Sequence, residues 1–217
     1  MGKRDKNNTR TVPAVAIVDE DPDLVSLVRD VAKGGHFDAL EAFDSSSAVL
    51  ERLPRSKPDV MLIDIRSPKM RAFESMQRLK ILMPDLAIVA MTSFPDTYSF
   101  IRALMAGAGG FLEKPFTPDE LTAAITDAVT GKFALGRTAA PHLHRFFKHL
   151  RHATQRFGLT EREEEILACV FAGLLNKEIA DTLSIGSATV HTHLHRIFTK
   201  LGVHSRKEVI TKYLSPC

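Results

Sequence analysis

From residue 14 to residue 130, short apolar runs alternate with stretches in which apolar residues recur every three or four positions. The first pattern fits strands covered on both faces, and the second fits one face of a helix. Together they predict strands over Ala14–Val18, Phe37–Ala42, Asp59–Ile63, Leu86–Met91 and Gly110–Leu112. The helices predicted between them are Pro22–Lys33, Ser45–Leu53, Ala72–Leu82, Asp96–Ala106 and Pro118–Thr130. Asp44 or Ser45, Asp96 and Thr117 stand at N-cap positions, and Pro118 at a first helical position. Strict alternation of strand and helix implies a doubly wound α/β domain around a five-stranded parallel sheet, expected over residues 12–130.

Residues 131–156 break the alternation. They open on Gly131, contain Pro141, and carry basic and aromatic residues in which Leu143, Phe146, Phe147 and Leu150 are spaced as on a short amphipathic helix. The segment reads as a linker, partly helical. From residue 157 to residue 217 the pattern is helical only, with segments expected over Thr160–Ala172, Asn176–Leu183, Ser187–Leu201 and Ser205–Leu214. A two-turn second helix, a tight connection at Ser184–Gly186 and a longer third helix form the helix-turn-helix order, so this part is a small all-α domain.

Composition adds one asymmetry to this division. The 217 residues are 44% hydrophobic and 25% charged, as in ordinary globular proteins. Residues 1–140 hold 18 Lys and Arg against 19 Asp and Glu, whereas residues 141–217 hold 11 against 7 and eight of the nine histidines. Only the second part therefore suits a polyanion. Cys169 and Cys217 supply neither a disulfide framework nor metal-site spacing. No apolar run approaches membrane-span length, so no membrane partner is expected. The basic start is followed by an apolar stretch that runs directly into Asp19-Glu20-Asp21, unlike a cleavable leader. A reducing cytoplasm is the expected location.

In an open α/β sheet, ligands sit beyond the carboxyl ends of the strands. The residues delivered there are Asp19-Glu20-Asp21 after the first strand, Asp64 after the third, Thr92-Ser93 after the fourth and Lys114-Pro115 after the fifth. Clustered carboxylates need a counter-cation, and hard oxygen donors in a hydrated site suit Mg²⁺. With their charge offset, one carboxylate can attack a phosphoryl group while a lysine and a hydroxyl stabilise its oxygens.

The pieces VDEDP (Val18–Pro22), IDIRSP (Ile63–Pro68), MTS (Met91–Ser93) and FLEKPF (Phe111–Phe116) resemble, in order and near spacing, the receiver domain of two-component response regulators. That resemblance implies a flavodoxin- or receiver-like sheet with Asp64 as phosphoacceptor. Glu20, Asp64 and the Arg66 carbonyl would hold Mg²⁺ with Asp19 in support. Thr92 and Phe111 would be the pair that moves on phosphorylation, and Lys114 would pair with the phosphoryl group. Glu20 stands where Asp is commoner, and Lys69, Arg71 and Ala72 stand where the loop usually reads Gly, Asp and Gly.

In the helical part, LTEREEEIL, NKEIA, TVHTH and KLGVHSR resemble the LuxR-type DNA-binding domain, so the whole chain is similar to NarL/FixJ-family response regulators. The third helix would then enter the major groove with His191, Thr192 and His195 at base-reading positions. Lys177, Arg196, Lys200 and Arg206 would be candidates for phosphate contacts, and the last helix would serve dimerisation. A sensor histidine kinase, promoter DNA, RNA polymerase and a second copy of the chain are the implied partners, and no enzymatic function is expected. Two departures stand out. Ser184 fills a turn position that favours Gly, and His191 stands where Lys is common. His191 and His195 could share a cation, but no third ligand stands at metal-site spacing. Two other readings remain open: a DNA-binding regulator independent of phosphorylation, and a phosphotransfer or interaction protein that does not act on DNA.

Overall fold

The computed structural model describes residues 12–66, 71–93, 96–135, 144–148 and 156–214. Six parallel strands form one sheet: β1 Ala14–Val18, β2 Asp38–Phe43, β3 Val60–Asp64, β4 Ala87–Thr92, β5 Gly110–Glu113 and β6 Ala134–Leu135. Their order is β2-β1-β3-β4-β5-β6, so the order reverses beside β1 and the carboxyl ends of β1 and β3 flank that reversal. The described helices that connect them are α1 Pro22–Ala32, α2 Ser46–Ser56, α3 Ala72–Leu82, α4 Thr97–Met105 and α5 Pro118–Val129.

Period-two alternation places Val15, Ile17, Val60, Leu62, Val89, Met91 and Leu112 on one face. They form a buried core with Leu24 and Val28 of α1 and Leu121, Ala124 and Ile125 of α5. The intervening Ala16, Met61, Ile63, Ile88 and Ala90 are also buried and face the opposite side, where α2 and α3 bury Val49, Leu53, Met76 and Leu79. Burial on both faces accounts for the near absence of polar residues from these strands.

Local chemistry sets the helix starts. Asp21 caps α1, its Oδ1 accepting from the Asp23 amide at 2.9 Å. Thr117 and Glu120 form a reciprocal capping box at α5. Two elements depart from expectation. Helix α2 runs through Pro54 to Ser56, because a proline that near the end forfeits only one late hydrogen bond. The two-residue β6 lies in the segment read as linker. It approaches β5 closely because Gly110 lacks a Cβ; one placed there would lie 2.7 Å from the Ala134 Cβ.

By internal contacts, one compact unit comprises Met1–Pro95 with Ala106–Thr138, and the other comprises Asp96–Met105 with Ala139–Cys217. The second unit contains α6 Glu161–Phe171, α7 Asn176–Thr182, α8 Ser187–Leu201 and α9 Arg206–Leu214. Its core joins Ile166, Leu167, Val170 and Phe171 of α6, Ile179 and Ala180 of α7, Val190, Leu194 and Ile197 of α8 and Val209 of α9. Residues 144–148 are helical, and Phe146 meets Phe171 edge-to-face with centroids 6.1 Å apart. Part of the segment read as linker is thereby anchored to this core. The Cys169 thiol is buried, which pushes its pKa up and leaves it poorly nucleophilic.

Candidate functional site

At the carboxyl end of the sheet, each strand delivers its polar residue at the point where backbone pairing stops. Asp19 follows β1 and is buried, Asp64 ends β3, Thr92 ends β4 and is fully buried, and Lys114 follows β5. Backbone hydrogen bonds hold the strand ends in register: Ile65 N to Met91 O at 3.0 Å and Lys114 N to Thr92 O at 2.8 Å. The Lys114–Pro115 peptide bond is cis.

The Lys114 ammonium donates to Asp19 Oδ2 at 2.6 Å and to Asp64 Oδ2 at 2.8 Å. Burial alone would lower the lysine pKa, but the hydrogen bonds it donates to both carboxylates, and their charge, outweigh it, so the pKa stands above that of ordinary lysine. The second oxygens are also engaged: Asp19 Oδ1 accepts from the Asp21 amide at 2.9 Å and Asp64 Oδ1 from the Arg66 amide at 2.8 Å. Two carboxylates against one ammonium leave one negative charge uncompensated before Glu20 is counted. Glu20 is exposed on the loop after β1.

Among the described residues, no three carboxylate, imidazole or thiol groups converge tightly enough to enclose a cation by themselves. Asp19 and Asp64 converge on the Lys114 ammonium. Two carboxylates with a neighbouring carbonyl and retained waters match the incomplete protein shell that Mg²⁺ accepts, so this donor set fits it. Phe111, on β5 three residues before Lys114, is buried. Lys69 lies outside the described residues, while Arg71 pairs with Glu74 at 3.5 Å at the start of α3.

In the helical unit, the exposed face of α8 carries Ala188, His191, Thr192, His195, Arg196 and Thr199, and the α8 sequence contains no acidic residue. Lys177 is exposed at the start of α7. The two other cations expected on phosphates have partners inside the unit. Lys200 Nζ donates to Glu163 at 2.7 Å and to the Gly158 carbonyl at 2.9 Å. Arg206 donates to the Leu174 carbonyl and to Asn176 Oδ1, and burial lowers its pKa.

Glu163 was not singled out in the sequence. It is buried at 3% exposure and completes a capping box with Thr160 at the start of α6. Burial alone would raise its pKa, but Lys200 and the Thr160 amide and hydroxyl hold it below the usual carboxylate value. The Thr-x-x-Glu spacing could have marked its backbone role; nothing local marks its lysine partner. Ser184 adopts the left-handed conformation expected of it, with φ 52°, and Gly186 takes an ordinary φ of −72° before α8.

Comparison with known proteins agrees with both halves. Residues 15–126 match the response regulator receiver domain, and residues 158–213 match the bacterial regulatory proteins of the luxR family. The chain is 32% identical over 168 residues to the DNA-binding transcriptional activator DevR/DosR of Mycobacterium tuberculosis, covering 76% of each chain. It is also 32% identical over 188 residues to the response regulator protein TodT of Pseudomonas putida, covering 86% of this chain and 77% of that one. Among solved structures, RcsB of Salmonella enterica serovar Typhimurium bound to promoter rprA has the same fold, with a TM-score of 0.57 at 20% identity over 95% of this chain and all of that one. The chain therefore belongs to the response regulators that join a receiver domain to a LuxR-type DNA-binding domain, and it is a transcription regulator, not an enzyme.

Proposed function

We propose that this regulator is switched by transfer of a phosphoryl group from a sensor histidine kinase to Asp64, and that the switch controls dimerisation and promoter binding through α8. The observation that carries the reading is the single Lys114 ammonium held between Asp19 and Asp64 at 2.6 and 2.8 Å. In the transfer, an Asp64 carboxylate oxygen forms a bond to phosphorus as the bond to the kinase imidazole nitrogen breaks, giving an acyl phosphate and a free imidazole. Lys114 then has a phosphoryl oxygen within reach in place of Asp64 Oδ2. Thr92, at the end of the adjacent strand, is placed to turn its hydroxyl toward the new group, and Phe111 follows into the space vacated.

Mg²⁺ would be held by Asp19, Asp64, the Arg66 carbonyl and Glu20, and it would neutralise charge during the transfer. Water would complete the shell, since Mg²⁺ keeps several of its waters when bound by few carboxylates. On the DNA side, His191, Thr192 and His195 face base edges. Lys177 and Arg196 face phosphates, while Lys200 and Arg206 hold the unit together. DNA binding by a receiver-activated dimer, with RNA polymerase as the downstream partner, fits a cytoplasmic protein. No helix of the described residues is long and apolar enough to cross a membrane.

The test is intact-mass measurement after incubation with a small phosphodonor and Mg²⁺. The parent is expected to gain one phosphoryl group and Asp64→Asn none. Equal uptake by both would remove Asp64 from the mechanism.

A further inference from the structure

His191 and His195 lie one turn apart on the exposed face of α8, whereas His193 between them is partly buried, with its Nδ1 shielded from solvent and without a partner among the described residues. The two threonine hydroxyls on that face turn back to the helix. Thr192 donates to the Ala188 carbonyl at 3.1 Å and Thr199 to the His195 carbonyl at 2.9 Å. On that face the imidazoles and Arg196 remain as outward polar termini, with the exposed Ser187 and Thr189 nearer the start of the helix.

The charged groups on α6 and α7, the helices packed against α8, are engaged elsewhere or stand exposed. On α6, Arg162 is held by Glu165 at 2.6 Å and by the Leu183 carbonyl, and Glu163 is held by Lys200. On α7, Glu178 accepts from the Leu175 amide at 2.5 Å, while Lys177 and Asp181 are exposed. Among the described residues, neither these groups nor Glu161, Glu164 or Arg196 makes a hydrogen bond or ion pair with the imidazole of His191 or His195.

We infer that His191 and His195 make DNA binding proton-linked, the chain holding duplex DNA more tightly as pH falls through the imidazole range. This rests on the reading of α8 as the helix that faces DNA. A neutral imidazole offers one donor and one acceptor, whereas an imidazolium offers two donors and a positive charge. The negative potential of the duplex favours the charged form, so binding takes up protons wherever the free imidazoles are mostly neutral. Affinity therefore rises as pH falls from about 7.5 to about 6, and a gain of about tenfold is expected from two sites on each protomer. The salt dependence steepens in the same interval, because each imidazolium in the groove adds a positive charge that displaces counterions from the duplex.

The experiment measures affinity of the full chain for a labelled mixed-sequence duplex, in chelator, at the two ends of that pH interval and at several salt concentrations. The His191→Gln/His195→Gln variant is expected to change less than twofold while the parent changes about tenfold. His204→Gln, the same replacement just beyond α8, should keep the parent's slope. His191→Lys/His195→Lys should bind tightly at both ends with little slope, since its charge is fixed, and circular dichroism confirms that each variant is folded. A parent without pH dependence, or a Gln variant with the parent's slope, overturns the inference and leaves the reading of α8 intact. Absence of salt-dependent duplex binding by parent and Lys variant alike overturns the reading of α8 itself.

Discussion

Lys114 in the receiver unit and Lys200 in the helical unit are both lysines set on poorly exposed carboxylates at nearly the same distance, yet they are built for different ends. Lys114 faces two carboxylates, Asp19 and Asp64, whose other oxygens already accept backbone amides, and its cluster keeps a surplus negative charge. Lys200 faces one, Glu163, and its remaining bond goes to a backbone carbonyl, so that cluster is balanced. A balanced pair with every acceptor used ties elements together. A cluster with surplus negative charge at the mouth of a sheet has somewhere to put a divalent cation and, with it, a phosphoryl group. On the function proposed above, charge count, more than distance, separates the switch from the strut.

The largest effect that could break this contrast is chemical. Asp64→Asn should abolish phosphoryl uptake while leaving the fold intact, since the amide oxygen can still accept from the Lys114 ammonium; thermal unfolding beside intact-mass measurement checks both.

Lys114→Met should follow. It leaves Asp19 and Asp64 facing each other, and we expect a loss of about 2–3 kcal/mol in receiver stability by denaturant titration. Adding Mg²⁺ should restore more stability to that variant than to the parent, because the cation replaces the missing ammonium. Equal restoration would show that the surplus charge does not select a cation.

Removing the strut should cost less and should show in pH. Glu163→Gln is expected to lose about 1–2 kcal/mol near neutral pH, where a charged hydrogen bond becomes a neutral one. Because the folded-state pKa of Glu163 is depressed, its contribution is present above the unfolded carboxylate value, about 4.3, and is lost as pH falls through the folded value. The acid destabilisation of the helical unit should therefore be shallower in Glu163→Gln than in the parent, as followed by circular dichroism. On DNA, Lys200→Gln should leave the salt slope of binding unchanged as long as the unit is folded. Arg196→Gln and Lys177→Gln should each reduce it by about 0.9 per contact. The smallest effect is at the turn, where Ser184→Gly relieves a left-handed conformation and should raise stability by about 1 kcal/mol.

How much of this was legible in the sequence follows the same division. Asp19, Asp64, Thr92 and Lys114 could be located without coordinates because each follows an apolar run, and a parallel sheet gathers its strand ends at one edge. The strand ends were read to within a residue or two for the same reason. The Glu163–Lys200 pair could not be found, since 37 positions separate the partners and helix packing alone brings them together. The partners of Lys200 and Arg206 within the unit were not legible, because sequence pattern reports the helix face and not the carbonyl or carboxylate waiting across it. Strand β6 escaped because two residues carry no periodicity, and only the close approach at Gly110 gives them a partner. The strain at Ser184 was readable because backbone conformation at a tight turn depends on residue type at one position.

The most direct measurement of the central claim is duplex affinity and oligomeric mass of the full chain, with and without a small phosphodonor and Mg²⁺, in the parent and in Asp64→Asn. The account predicts that the phosphodonor shifts the parent toward a dimer and tightens its DNA binding, and that it leaves Asp64→Asn unchanged. A parent that binds DNA equally in both conditions, or an Asp64→Asn variant that responds as the parent does, would contradict it.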